Sequence, residues 1–206
     1  MIARLFKNSF LALRKVRGLI FVNIFITILT LTVGFYLSSL DNAVINEFKD
    51  KLLVEIQSAL PLEEIYGLIA KNNIIGAIAI TFGINLASGA FLSTTLTGII
   101  FPLPALVMAE RGIFIGLLFE SEKGNLAYYI LLIGTFILEF GAYVLSASAG
   151  INIGLSFFNP KRYKVKNAWQ AFINSLKEAI QIYLWVIILL GLGAVWEICG
   201  ISFLTK

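Results

Sequence analysis

The stretch FILEFGAYVLSASAGINIGLSFF, residues 136–158, decides the fold class. It is long enough to cross the hydrocarbon core of a bilayer, which takes about 20 apolar residues. It contains a single carboxylate, Glu139, and a small residue then recurs at every fourth position: Ala142, Ser146, Gly150 and Gly154. Small residues at this spacing let two membrane helices approach closely. The stretch therefore predicts a packed transmembrane helix.

The composition extends this prediction to the whole chain. Of the 206 residues, 59% are hydrophobic and 14% are charged, whereas soluble domains are about 45–50% apolar. We therefore expect one integral membrane domain over residues 1–206. The chain has no histidine, which excludes a Ser-His-Asp triad and a histidine zinc site. No sequence motif indicates a cofactor or metal, so we expect a protein that is not an enzyme and has no cofactor.

The charged segments predict how the chain crosses the cell membrane. Residues 1–17 form a basic amphipathic pattern, and residues 159–178 contain a second basic cluster followed by a short helical pattern. Both belong in the cytoplasm by the positive-inside rule. The more acidic amphipathic segment 41–71 then lies outside. The basic residues form no single long tract, so we expect the lipid bilayer and not nucleic acid as the surrounding partner.

The length of the middle of the chain predicts irregular helices. After a first span at 18–40, we place spans at 72–91, 95–119, 126–158 and 179–201, with an inner turn near LSTTLT at 92–97. The stretch from 72 to 158 is longer than three upright spans of about 20 residues need. We therefore predict an all-α membrane bundle of about five transmembrane helices, with interrupted or re-entrant segments near 100–120 and 126–141. The second break is expected near Glu139 and Gly141, the N-terminus in the cytoplasm and the C-terminus outside.

Polar residues within the apolar runs are the candidate functional residues. A charge at mid-bilayer costs at least about 2.5–3.5 kcal/mol, so such a group faces the bundle interior, pairs or stays protonated. Each candidate has a structural alternative: satisfying a helix break, lying in a loop, or reaching the membrane surface. The candidates are Glu139, Glu110, Arg111, Glu197 and Asn85. Glu110 and Arg111 are adjacent, so they diverge by about 100° on a helix and each is expected to reach another segment.

Two stripes of small residues are the candidate packing faces. One is the series in the opening stretch, and the other is Ala79, Gly83 and Ala87 in the second span. Packing within the chain is the first interpretation of both stripes. Self-association into a homo-oligomer through one of them is the alternative.

The C-terminal two-thirds of the chain resembles the stage II sporulation protein M family. The similar stretches are KNN at 71–73, RGIFIG at 111–116, LEFGAYVLSASAGINIG at 138–154 and GAVWEI at 193–198. The chain departs from the family at Arg111, where the family often has Asn, and at Leu138, where it often has Pro. The resemblance implies a non-enzymatic multi-pass membrane subunit, which in spore formers works with a cell-wall hydrolase during engulfment.

Two functions remain open at this point. One is a scaffold or assembly subunit of a membrane complex, with a protein partner at the extracytoplasmic segment 41–71. The other is a small transporter or channel for an ion, a proton or a solute, which would use the intramembrane carboxylates.

Overall fold

The computed structural model describes residues 2–40, 42–59, 61–119, 126–165 and 167–204, and all regular structure in these ranges is helical. The first three helices are α1 (Ile2–Ser39), α2 (Ala43–Ala59) and α3 (Leu62–Ala70). They are followed by α4 (Ile74–Ile84), α5 (Leu103–Leu118), α6 (Leu126–Phe158) and α7 (Ala168–Leu204). The prediction of an all-α membrane helix bundle is confirmed.

Four helical segments are long and apolar enough to cross a membrane. They are Ala3–Ser39, Ile74–Ile99, Leu126–Phe158 and Ala168–Leu204. The third predicted span, 95–119, is represented by the shorter helix α5, whose 16 residues extend over about 24 Å. The predicted surface helix 1–17 and the first span are a single helix, α1, within the described residues. The predicted short helix after residue 166 is likewise continuous with the last span in α7.

The predicted break near Glu139 and Gly141 is wrong, because α6 runs through both residues without interruption. Its 33 residues reach about 50 Å at 1.5 Å per residue. The surplus length, from which we predicted an interrupted or re-entrant segment near 126–141, is therefore taken up by one long helix. Long spans of this kind are accommodated by tilt or by extending past the hydrocarbon core.

The irregular backbone lies instead after α4. The chain continues from Ile84 as a π-helical segment, Asn85–Thr95, and a 3-10 turn, Leu96–Ile99. It then reverses at a cis peptide bond between Phe101 and Pro102. The predicted turn at 92–97 is therefore wrong, and the interruption predicted near residues 100–120 is confined to the start of that range. Helix α5 passes through Glu110 and Arg111 unbroken.

Contacts between helices define two ends of the bundle. At the first, which we call the basic end, Lys15 of α1 meets Glu178 of α7, and Arg162 donates to the Lys15 carbonyl. At the opposite end, Ser38 of α1 donates to the Leu117 carbonyl of α5. Helices α6 and α7 form the most extensive pair and run antiparallel, whereas α1 and α5 run parallel to each other.

The small-residue stripe of α6 is buried against the irregular segment. Ser146 shares a 2.6 Å hydrogen bond with Thr94, and the Ser146 carbonyl accepts one from Thr95 at 3.1 Å. A Cβ atom added to Gly150 would collide with the Thr94 carbonyl. Ala142, Ser146, Gly150 and Gly154 are all buried. This stripe therefore packs within the chain.

The second stripe has a different environment. Ala79, Gly83 and Ala87 are all exposed on the surface of the bundle, and a Cβ atom at Gly83 would meet no atom of a neighbouring segment within 4 Å in the described part of the chain. The buried side of α4 contains Ala77 and Thr81 instead. The interpretation of this stripe as an intramolecular packing face is wrong, because spacing identifies a helix face but not the neighbour that it meets.

Candidate functional site: a carboxylate cavity and a polar interior

Glu139 and Asn85 are in direct contact in the interior of the bundle. The Asn85 Nδ2 atom donates to the Glu139 Oε1 atom at 2.6 Å. Asn85 is the first residue of the π-helical segment, and Glu139 lies on the continuous helix α6. Local π-helical geometry is frequent at functional sites because it reorients side chains relative to a regular helix. The change in helix type thus occurs at the residue that contacts the half-buried Glu139 carboxylate.

This pair borders a cavity of about 150 Å³. We call it the carboxylate cavity. It is lined by Leu62, Ile65, Tyr66, Thr81, Ile84, Asn85, Glu139, Glu197, Ile198 and Ile201. The Oγ1 atom of Thr81 is buried and has no hydrogen-bond partner within the described part of the chain. A cavity of this size has room for several water molecules, and the polar groups among its lining residues are potential hydrogen-bond partners for them.

The cavity brings together three of the predicted residues, Glu139, Glu197 and Asn85. Two carboxylates that face one small cavity repel each other when both are ionised, so a shared proton or a bound cation lowers the free energy of the arrangement. Carboxylate and amide oxygens are also ligands for hard cations. Proton or cation binding is therefore the chemistry that this group of side chains can perform.

Arg111 lies farther along the interior. Its Nη2 atom donates to the Ser93 hydroxyl at 2.7 Å and to the Gly89 carbonyl at 3.2 Å. The guanidinium carbon lies 4.3 Å from the centre of the Tyr143 ring, a cation–π geometry. Its Nη1 atom is buried and has no partner among the described residues. Arg111 thus reaches another segment, as expected, whereas the adjacent Glu110 is exposed and is not among the residues that line the carboxylate cavity.

Hydroxyl groups continue the polar interior from Arg111 towards the basic end. Besides the contact between Thr94 and Ser146, the Tyr183 hydroxyl donates to Thr95 Oγ1 at 2.8 Å. Nearer the basic end, Asn23 donates to the Ser148 hydroxyl at 3.0 Å. Polar side chains therefore recur at successive depths of the bundle.

A buried cluster at the basic end was not predicted. The Glu178 carboxylate accepts from Lys15 at 2.5 Å, from the Tyr163 hydroxyl at 2.9 Å and from Asn152 at 3.2 Å. Glu178 was missed because it precedes the predicted span at 179–201, so it fell in the short cytoplasmic helical pattern of residues 159–178 and not among the carboxylates of the apolar runs. The available signal was the pattern KEA at 177–179 directly before an apolar run, which places a carboxylate within one turn of the span.

Tyr163 is held in its neutral form within this cluster. It lies in the 3-10 turn Pro160–Tyr163 between α6 and α7. Burial, followed by the neighbouring Glu178 carboxylate, raises the pKa of the Tyr163 hydroxyl above its ordinary value. The hydroxyl is therefore a hydrogen-bond donor to Glu178 at neutral pH.

Comparison of the chain with protein-family models, curated proteins and solved structures finds no match. The resemblance to the sporulation family therefore stays a prediction.

Proposed function

We propose that the chain is a small, non-enzymatic transporter or channel that moves protons or small cations across the membrane. The observation that supports this proposal is the Glu139–Asn85 pair beside Glu197 in the carboxylate cavity. A carboxylate inside a bundle is costly, and such residues commonly mark ion and proton paths in membrane proteins. The cavity supplies the space and the second carboxylate that cation binding needs.

The location of the cavity supports the same function. It lies where α4 gives way to the π-helical segment, and that segment ends at the turn before α5. Irregular helices next to a polar site are typical of secondary transporters. The further polar groups, from Arg111 to Ser148, would allow a proton or an ion to move from the cavity towards the basic end.

The orientation completes the proposal. Both basic clusters meet at the basic end, and the positive-inside rule assigns that end to the cytoplasm. With five passages, including the shorter α5, the C-terminus is outside. The carboxylate cavity would then take up its ion from the outer side of the cell membrane.

Flux into sealed vesicles tests this proposal. The purified chain is reconstituted into liposomes, and uptake of H⁺, Na⁺ and K⁺ is followed under an imposed gradient. We expect wild-type flux above that of empty liposomes for at least one ion and a loss of tenfold or more in Glu139→Gln. Glu110→Gln is the matched control, because Glu110 is an exposed carboxylate away from the cavity, and it should transport at the wild-type rate.

Three results would contradict the proposal. The first is a wild-type chain that conducts no tested ion above the empty-liposome background. The second is a Glu139→Gln variant that conducts as fast as the wild type. Equal losses in Glu139→Gln and Glu110→Gln would show that the carboxylate cavity is not the site.

A scaffold function is the second candidate, and helix α2 favours it. Val44 is 74% exposed and Phe48 is 47% exposed, so this helix has apolar side chains that a protein partner could cover. Helix α2 also carries several charged residues and lies at the end of the bundle opposite the basic end. A photo-reactive residue placed at position 44 tests whether this helix contacts a protein partner or the lipid bilayer. Cross-linking to one defined protein supports a scaffold, whereas cross-linking to lipid alone indicates a helix that rests on the membrane.

A further inference from the structure

The basic end contains two neighbouring open clefts, of about 710 and 680 Å³. We call them together the basic cleft, because both are lined by Lys15 and Gln181. Helices α1 and α7 and the turn Pro160–Tyr163 form its walls. The cationic residues that line it are Arg14, Lys15, Arg17, Arg162, Lys164 and Lys177.

Only a small part of this positive charge is compensated in the cleft. Glu178 is the one acidic residue among the lining residues, and Lys15 already pairs with it at 2.5 Å. The other five lining cations therefore face the cleft without a carboxylate among its lining residues. Charge of one sign in a concave site raises the local concentration of ligands of the opposite sign.

The cleft is also held in shape by contacts within the chain. Arg162 donates through Nη2 to the Lys15 carbonyl at 3.2 Å, which holds the turn against α1. The Tyr163 hydroxyl and the Asn152 amide donate hydrogen bonds to the second carboxylate oxygen of Glu178, the one that Lys15 does not contact. A cleft whose walls are already fixed loses less conformational entropy when a ligand binds.

Exposed apolar side chains on the two helices that form the cleft indicate the kind of anion that it binds. Leu11 lines the cleft and is 46% exposed, and the adjacent Phe10 is 57% exposed. Trp169, at the start of α7, is 60% exposed, and tryptophan favours the level of the lipid headgroups. Basic pockets between transmembrane helices bind anionic lipid headgroups. A soluble anion has no acyl chains, so it would gain no binding free energy from the apolar side chains.

We propose that the basic cleft binds the phosphate headgroup of an anionic phospholipid, with the acyl chains along the exposed apolar surface of α1. The cations supply charge-assisted hydrogen bonds to the phosphate oxygens. This site is separate from the carboxylate cavity, so it does not depend on the proposed transport function.

Lipid titration of the purified full-length chain in neutral detergent tests the proposal. Binding of phosphatidylglycerol, of phosphatidylcholine with the same acyl chains and of inorganic phosphate is measured by native mass spectrometry and by the shift in Tm. We expect phosphatidylglycerol to bind at least tenfold more tightly than phosphatidylcholine, and inorganic phosphate at the same concentration to have no effect on Tm.

Matched variants separate the cleft from general surface charge. Arg17→Gln and Lys164→Gln remove cations that line the cleft, and each should weaken phosphatidylglycerol binding about fivefold. Arg4→Gln and Lys161→Gln remove the same charges outside the lining and should stay within about twofold of the wild type. All four side chains are exposed, so the Tm of each variant without lipid should match that of the wild type.

Three outcomes would overturn the proposal. Equal binding of phosphatidylcholine would mean that the cleft does not recognise anions. Equal stabilisation by inorganic phosphate would identify a site for a soluble anion. Equal losses in the lining and control variants would leave only the diffuse attraction of a basic surface.

Discussion

Replacing Gly150 by alanine should separate α6 from the irregular segment that follows α4. The new Cβ atom would collide with the Thr94 carbonyl and lie 2.9 Å from the Thr95 carbonyl. Both obstacles are backbone atoms, so no side-chain rotation can relieve the contact. Because the neighbouring Thr94 also shares a hydrogen bond with Ser146, the displacement should weaken that bond as well.

The size of the effect follows from opposing terms. Overpacking in a well-packed interior costs about 1–3 kcal/mol, and loss of a hydrogen bond adds about 0.5–1.5 kcal/mol. Alanine in place of glycine within a helix returns up to about 1 kcal/mol. The net loss of stability should be about 0.5–4.5 kcal/mol, and each kcal/mol lowers Tm by roughly 2–4 °C in a chain of this size.

Gly83→Ala is the control for this substitution. Gly83 lies in α4 with no atom within 4 Å of its added Cβ, so only the helix-propensity gain applies and Tm should stay equal or rise by a few degrees. Both variants are compared with the wild type by thermal unfolding in the same detergent, followed by tryptophan fluorescence. A Gly150→Ala chain as stable as the wild type would refute the packing argument. A Gly83→Ala chain that loses as much stability would show that the outward stripe is itself an interface.

Three further results are expected. In a double-mutant cycle of Lys15→Met and Glu178→Gln, Tm values should give a coupling energy of about 1–2 kcal/mol. Burial of Glu178 strengthens the ion pair, whereas the Lys15 side chain is 64% exposed and solvent screens it. Additive losses in the double variant would contradict this coupling. Folding raises the pKa of the Tyr163 hydroxyl above its unfolded value of about 10, so the neutral hydroxyl stabilises the fold below about pH 10, and this contribution is lost as pH rises further. Between about pH 9 and pH 11, the Tm of Tyr163→Phe should therefore fall by less than the Tm of the wild type. In a Cys199→Ser background, single cysteines at Lys51 and Lys164 should react with an impermeant maleimide from opposite sides of the membrane, and labelling of both from one side would contradict the topology.

The sequence predicts the parts of this fold that follow from local chemistry. The basic loop after α6 and the buried stripe of Ser146 and Gly150 follow directly from charge and from side-chain size. The predicted break at Glu139 failed for a different reason. The surplus length fits either one long helix or an interrupted one, and we predicted the interruption; a helix can instead extend past the hydrocarbon core at no cost in backbone hydrogen bonds.

The irregular segment after α4 has a local cause that spacing alone does not reveal. Ser93, Thr94 and Thr97 donate side-chain hydrogen bonds to backbone carbonyls four residues earlier. Such bonds compete with the regular helical pattern and often bend helices. The residue types were visible in LSTTLT, but the sequence did not show whether they would end the helix, as we predicted, or reshape it.

Glu139 and Glu178 differ in how far hydrogen bonds within the bundle satisfy their carboxylates, which is why we propose a function for Glu139 and a structural role for Glu178. An ionised carboxylate has about four sites that can accept hydrogen bonds. Glu178 receives bonds from Lys15, Tyr163 and Asn152, including a cation that balances its charge. For Glu139, the bond from Asn85 is the single hydrogen bond given by the described residues, and the carboxylate borders a cavity shared with Glu197. A group that only stabilises the bundle is expected to be satisfied by the bundle, so the open coordination of Glu139 favours a mobile proton or cation as its remaining partner.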